Sequence, residues 1–129
     1  MTVAQVDSGL LVSEIAAFYA GFGQPAELSA ALRDSTVVVP LVDDDRILHL
    51  HLGSLEWVCA FTGIPEWAQF TAARGVDPDR EYRFHTMLGA RLWDYAAARE
   101  QPTGVAVDVL SSAPMMFPPT VADDTAGAR

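Results

Sequence analysis

The strongest constraint in this sequence is a short reversal at Gly53-Ser54, flanked on both sides by alternating residues. Arg46 to Leu52 places Leu48, Leu50 and Leu52 on one side and Ile47, His49 and His51 on the other. Leu55 to Phe61 alternates again, with Leu55, Trp57, Cys59 and Phe61 on one side. A period of two is the signature of a strand. Gly at the first position of a two-residue loop marks a type II′ hairpin. The loop then dictates the register. Leu52 faces Leu55, Leu50 faces Trp57, and Leu48 faces Cys59. On the opposite side His51 faces Glu56 and His49 faces Val58. This reading makes the leucine side the core side and the histidine side a polar outer face.

The rest of the chain is arranged around that hairpin. Leu11, Ile15, Phe18 and Phe22 recur at helical spacing, with Asp7 or Ser8 as a cap and Gly21 and Gly23 as the stop. Pro25 and Glu27 open a second helix whose inner face is Leu28, Ala31 and Leu32. Thr36 to Val42 is β-branched and apolar, and Pro40 places it at a sheet edge or a bulge. Asp43-Asp44-Asp45 reads as a turn; it lacks the spaced ligands of a calcium loop. Pro65 opens a third helix that turns Trp67, Phe70 and Ala73 inward, and Gly75 ends it. Val76 to Arg80 is a polar loop, and Glu81 to Thr86 is compatible with either a strand or an irregular lead. Met87 to Arg99 reads as helix, with Leu88, Leu92 and Tyr95 on one face. Val105, Val107 and Val109 mark a buried strand, and Met115 to Phe117 a short apolar segment before two prolines.

These elements define one α+β domain over residues 1–119, with 1–8 as a loose lead-in and 120–129 as a disordered tail. The expected architecture is a small, mainly antiparallel sheet of about four strands with helices packed on one side. Composition narrows the function. Seventeen acidic residues face eight basic ones, all arginine, for a formal charge of −9. Such a surface repels nucleic acid and anionic lipid. No apolar run reaches the ~18–20 residues of a membrane span. Without a basic leader segment, the expected location is the cytoplasm. A single cysteine, Cys59, permits neither an internal disulfide nor a CxxC site. Phosphate-loop, dinucleotide and nucleophile-elbow glycine patterns are all missing, and no cofactor is expected.

Three groups of residues carry candidate chemistry. His49 and His51 point the same way and could share a metal with Glu56; the alternative is a polar face with a weak His51–Glu56 pair. Cys59 could act as a nucleophile, but strand parity turns it away from both imidazoles. Trp93, Met115, Met116 and Phe117 form either a docking patch or a closing edge strand.

The run Ser35-Thr36-Val37-Val38-Val39-Pro40-Leu41 and the hairpin ending Trp57-Val58-Cys59-Ala60-Phe61-Thr62 resemble the N-terminal domain of the SseB (enhanced serine sensitivity) family. Gly89 to Asp94, Gly104 to Val109 and Ala113-Pro114-Met115 are similar to short, actinobacterial-type SseB-like proteins. The resemblance covers residues 26–119 and lacks the second domain of longer members. It implies an α/β domain with a non-enzymatic role and offers no catalytic residues. The expected function is therefore a non-catalytic protein-interaction or regulatory module, binding another protein or a second copy of the chain. The alternative is a small metal- or ligand-dependent enzyme using His49, His51 and Glu56.

Overall fold

A computed structural model describes residues 7–42, 46–75 and 83–119. The expected lead-in, the Asp43–Asp45 turn, the 76–80 loop and the C-terminal tail fall largely or wholly outside the described residues. The elements run α1 (Gly9–Tyr19), α2 (Pro25–Asp34), β1 (Thr36–Val42), β2 (Arg46–Ile47), β3 (His49–Leu52), β4 (Leu55–Ala60), α3 (Ile64–Ala73), β5 (Phe84–Leu88), α4 (Gly89–Ala97), β6 (Thr103–Val107) and β7 (Met115–Phe117). The fold is α+β, and among the described residues four of the five strand pairings are antiparallel.

The hairpin register is the expected one: His49 pairs Val58, Leu50 pairs Trp57, His51 pairs Glu56 and Leu52 pairs Leu55. Gly53 has φ +64 and Ser54 does not share the left-handed region, as a type II′ turn requires. The segment before it is not one strand. It bends at Leu48, so that β2 pairs with β1 while β3 pairs with β4. Two sheets result, with orders β2-β1-β5 and β3-β4-β6-β7. Leu48 ties them together, its N–H donating to Pro40 O (3.0 Å) and its carbonyl accepting from Cys59 N–H (3.4 Å). A second seam is the reciprocal pair of hydrogen bonds between Val38 and Phe61.

Pro40 is therefore not at a sheet edge. Its strand lies between β2 and β5, and Pro40 pairs with Phe84. The missing N–H faces the seam where the partner changes from Phe61 to β2, so no regular ladder bond is lost. Phe84 to Thr86, compatible in sequence with a strand or an irregular lead, are strand, and Met87 and Leu88, expected in the following helix, complete β5 instead.

Helices cover both faces, correcting the one-sided expectation. α1, α2 and α4 pack Leu11, Ile15, Leu28, Leu32 and Leu92 over one face, against Val37, Val39, Val58 and Ala60. α3 covers the opposite face, where Phe70 meets Val38, Cys59 and Phe61. Its aromatic rings Phe61, Trp67 and Phe70 lie 5.3–5.9 Å apart; Ala73 is exposed and does not join them. The reason is the parity of β4: Val58 and Ala60 are as apolar as Cys59 and Phe61, so both sides of the strand require cover. The parallel pairing of β4 with β6 needs a crossover, and α3, β5 and α4 supply it.

The α1 stripe is inward only in its first half. Leu11 and Ile15 are buried, whereas Phe18 and Phe22 are exposed. Ser8 lies at the N-cap position, yet its hydroxyl donates to the Thr62 carbonyl (2.5 Å) in place of capping.

Helices α2 and α4 approach closely at Gly89. A Cβ on Gly89 would stand 1.8 Å from the Leu32 carbonyl oxygen, while one on Gly9 would meet nothing within 4 Å. Gly89→Ala should therefore cost about 3 kcal/mol through overpacking, read as a lower urea midpoint. Gly9→Ala should hold or slightly raise that midpoint.

Candidate functional site at the end of helix α4

Because the face bearing Val58 and Ala60 is the one that α1, α2 and α4 cover, His49, His51 and Glu56 are on the same side as α4. This corrects the expectation of a polar outer face. Glu56 and His49 have side chains only 14% and 19% exposed, while His51 remains 73% exposed. The structure brings all three together. Glu56 Oε1 lies 3.1 Å from His49 Nδ1, and Oε2 lies 3.3 Å from His51 Nε2. Two residues join them that sequence reasoning did not assign to this site. Arg99 Nη2 donates to Glu56 Oε1 at 2.6 Å, and its Nε donates to Thr103 Oγ1 at 3.0 Å. Tyr95 Oη is 3.0 Å from His49 Nε2.

The chemistry settles which groups donate. An ionised carboxylate only accepts, so His49 carries its proton on Nδ1 toward Glu56. In the neutral ring Nε2 is then the acceptor for the Tyr95 hydroxyl. The result is a relay Tyr95–His49–Glu56–Arg99 across β3, β4 and the end of α4. The hydrogen bond from His49, followed by the charges of Arg99 and His51, holds the Glu56 carboxyl below its ordinary value of 4.5, against the opposing effect of burial.

The metal reading of the trio has no geometric support. Among the described residues, no group of three or more His, Cys, Asp or Glu is placed to hold a metal ion. Each imidazole occupies a different oxygen of Glu56, and Arg99 occupies one of them again. Three of the roughly four acceptor sites of the carboxylate are thus taken by His49, His51 and Arg99. Cys59 lies on the opposite face, fully buried, with its thiol pushed up to about 12 by burial. It is a packed apolar residue, as strand parity indicates.

Beside the relay is an open cleft of about 600 Å³ lined by Val42, Arg46, Ile47, Leu48, His49, Tyr95 and Arg99. The other sequence candidates do not form a surface. Met115 and Phe117 are buried and Met116 is half-buried. Trp93 packs on the same core, its ring edge-on to Phe117 at 6.0 Å and the Arg33 guanidinium 5.9 Å from its centroid. The closing-strand alternative holds, because β7 completes the sheet by pairing with Val105 to Val107.

A second polar centre lies at the carboxyl ends of the parallel strands. Buried Asp108 follows β6 and accepts from both the N–H and the hydroxyl of Thr62, each at 2.7 Å. Its φ of +53 is a left-handed conformation that Asp and Asn tolerate better than other side chains. Burial raises its carboxyl, with the two Thr62 bonds opposing. It pins the start of the β4–α3 connection to the end of β6.

No family model matches the chain, and no curated protein or solved structure matches it significantly.

Both polar centres should be visible in stability measurements. Glu56→Gln should lower stability at neutral pH. A carboxyl with a lowered native value stabilises above 4.5 and loses that contribution as pH falls toward the native value. The difference between wild type and variant should therefore fade on acidification, as measured by urea unfolding across pH. Asp108→Ala should cost about 2 kcal/mol by orphaning the buried Thr62 N–H. Asp108→Asn can satisfy both Thr62 groups and should cost less. It should gain on the wild type as pH rises above 3.8, where the carboxyl ionises in the unfolded chain while the buried one still holds its proton.

Proposed function

We infer that this chain is a non-catalytic protein-interaction module of the SseB-like kind, acting in the cytoplasm. The observation supporting the reading is the outer surface of α1. Apart from Ser13 and the half-buried Glu14, this helix carries apolar residues on its solvent side as well as its core side. Leu10 and Tyr19 are 55% exposed, Val12 and Phe18 nearly as much, and Phe22 just beyond its end 80%. Exposed apolar residues gathered on one helix mark an interaction surface. The interaction role thus moves from Trp93 and Met115–Phe117, which are buried or half-buried, to α1. Among the described residues no helix is long and apolar enough to cross a membrane. A partner groove that receives a helix face suits this surface.

The exposed positions can be changed without disturbing the core, since substitutions away from packed sites stay within about 0.5 kcal/mol. Leu10→Ser with Phe22→Ser should leave the unfolding midpoint unchanged. It should abolish retention of a stoichiometric partner, whether another protein or a second copy, in comparative affinity capture and light scattering. A wild type that is strictly monomeric and retains nothing that the variant loses would refute the reading.

A further inference from the structure

A cavity of about 340 Å³ lies beyond the carboxyl ends of β4 and β6, between α1, α3 and the 108–113 loop. Its volume falls in the roughly 300–1,000 Å³ range of small-molecule sites, and folds with parallel strands place ligands at this end. Every residue lining it is among the described residues. Two of them are acidic, Asp108 and Glu66, and none is basic. α1, α3 and the 108–113 loop contain no Arg, Lys or His, and the six residues ahead of Asp7 contain no charged side chain. The negative character of the cavity therefore does not rest on any of those segments.

Asp108 is the group that this environment leaves short of a partner. It is only 7% exposed, and each of its oxygens accepts one hydrogen bond from Thr62. A carboxylate offers about four acceptor sites, and Thr62 takes two without bringing a positive charge. Glu66 lies near enough to repel the Asp108 carboxylate. A buried charge is costly until it is paired. Val12, Ile15 and Ala16 make one wall of the cavity apolar, and Gln69, Ser111 and Ser112 add neutral polar groups. We propose that this cavity binds a small organic ammonium ion, its charged head held between Asp108 and Glu66 and its apolar body against Val12, Ile15 and Ala16. An ammonium has three donors and no acceptor, and its hydrogen bonds to carboxylates are of the strong, charge-assisted kind. A bare metal ion fits less well. Among the described residues no group of three or more His, Cys, Asp or Glu is placed to hold one, and such an ion has no body to bury against the wall.

The test is an NMR titration of the ¹⁵N-labelled full chain with benzylamine at constant ionic strength, beside benzoate and calcium chloride. Benzylamine should bind saturably, with a Kd of ~1 mM or below, and should shift the amide resonances of Thr62, Gln69, Ser111 and Ser112. Asp108→Asn keeps partners for both Thr62 groups but removes the charge. It should weaken benzylamine by at least about tenfold, the loss expected for a charged hydrogen bond. Should Asp108→Asn fail to fold, Glu66→Gln at its half-buried helix position decides the question, and benzylamine binding equal to wild type in that variant would sink the proposal. Binding of benzoate or of calcium as tight as that of benzylamine would overturn the assignment. So would shifts that never saturate, or an Asp108→Asn variant that binds as wild type does. Neither Leu10 nor Phe22 lines the cavity, so the double variant Leu10→Ser with Phe22→Ser should bind benzylamine normally. This proposal and the interaction role therefore fail separately.

Discussion

Burial of β4 on both faces is the constraint from which the rest of the structure follows. Val58 and Ala60 look into one core, Cys59 and Phe61 into another. A strand apolar on both sides must be an interior strand with cover above and below. That requirement accounts for the parallel partner β6, for the helix-rich crossover that reaches it, and for α3 lying opposite the other three helices. It also explains why the cysteine is inert: its thiol sits in the smaller core beside Val38 and Phe61. There burial disfavours the thiolate.

The polar network is the counterpart of that arrangement at the rim. Glu56 shares the parity of Val58 and Ala60, so it points toward the helical layer at the place where that layer ends. A carboxylate half-withdrawn from water needs charged donors to remain ionised. Arg99, His49 and His51 provide them. The same contacts hold an arginine and an imidazole in fixed orientation at the mouth of a cleft. A structural necessity thus produces a preorganised donor surface. The apolar surface of α1 has no such explanation from the fold, since Leu11 and Ile15 alone suffice to seat the helix.

Much of this was legible in the residues. The Gly53-Ser54 turn and its flanking alternation specify the register, because a slip of one residue would exchange the two faces. The second helix was equally clear from Pro25, Glu27 and the Leu28, Ala31, Leu32 stripe. Which side of the hairpin met the larger core was not legible. Both sides carry apolar residues, and periodicity reports that two faces differ without saying what lies against each. Tyr95 and Arg99 sit four apart and share a side of the chain, a spacing that hints at a joint role. Their meeting with His49 depends on where α4 crosses the sheet. Trp93, Met115 and Phe117 have the composition of a docking surface and of a core alike, and only packing separates the two.

The amino-acid order by itself determined the local geometry: the hairpin, its pairing, the starts of the second and third helices and the separation of Cys59 from both imidazoles. These depend on chain periodicity and turn stereochemistry, which act over a few residues. Tertiary structure alone decided the bend at Leu48, the accommodation of Pro40 inside a sheet, the assembly of Glu56 with Arg99 and Tyr95, and the exposure of α1. The contacts of Tyr95 with His49 and of Arg99 with Glu56 join segments some 40 or more residues apart, and all of these features are set by how two apolar faces of one strand find cover at once.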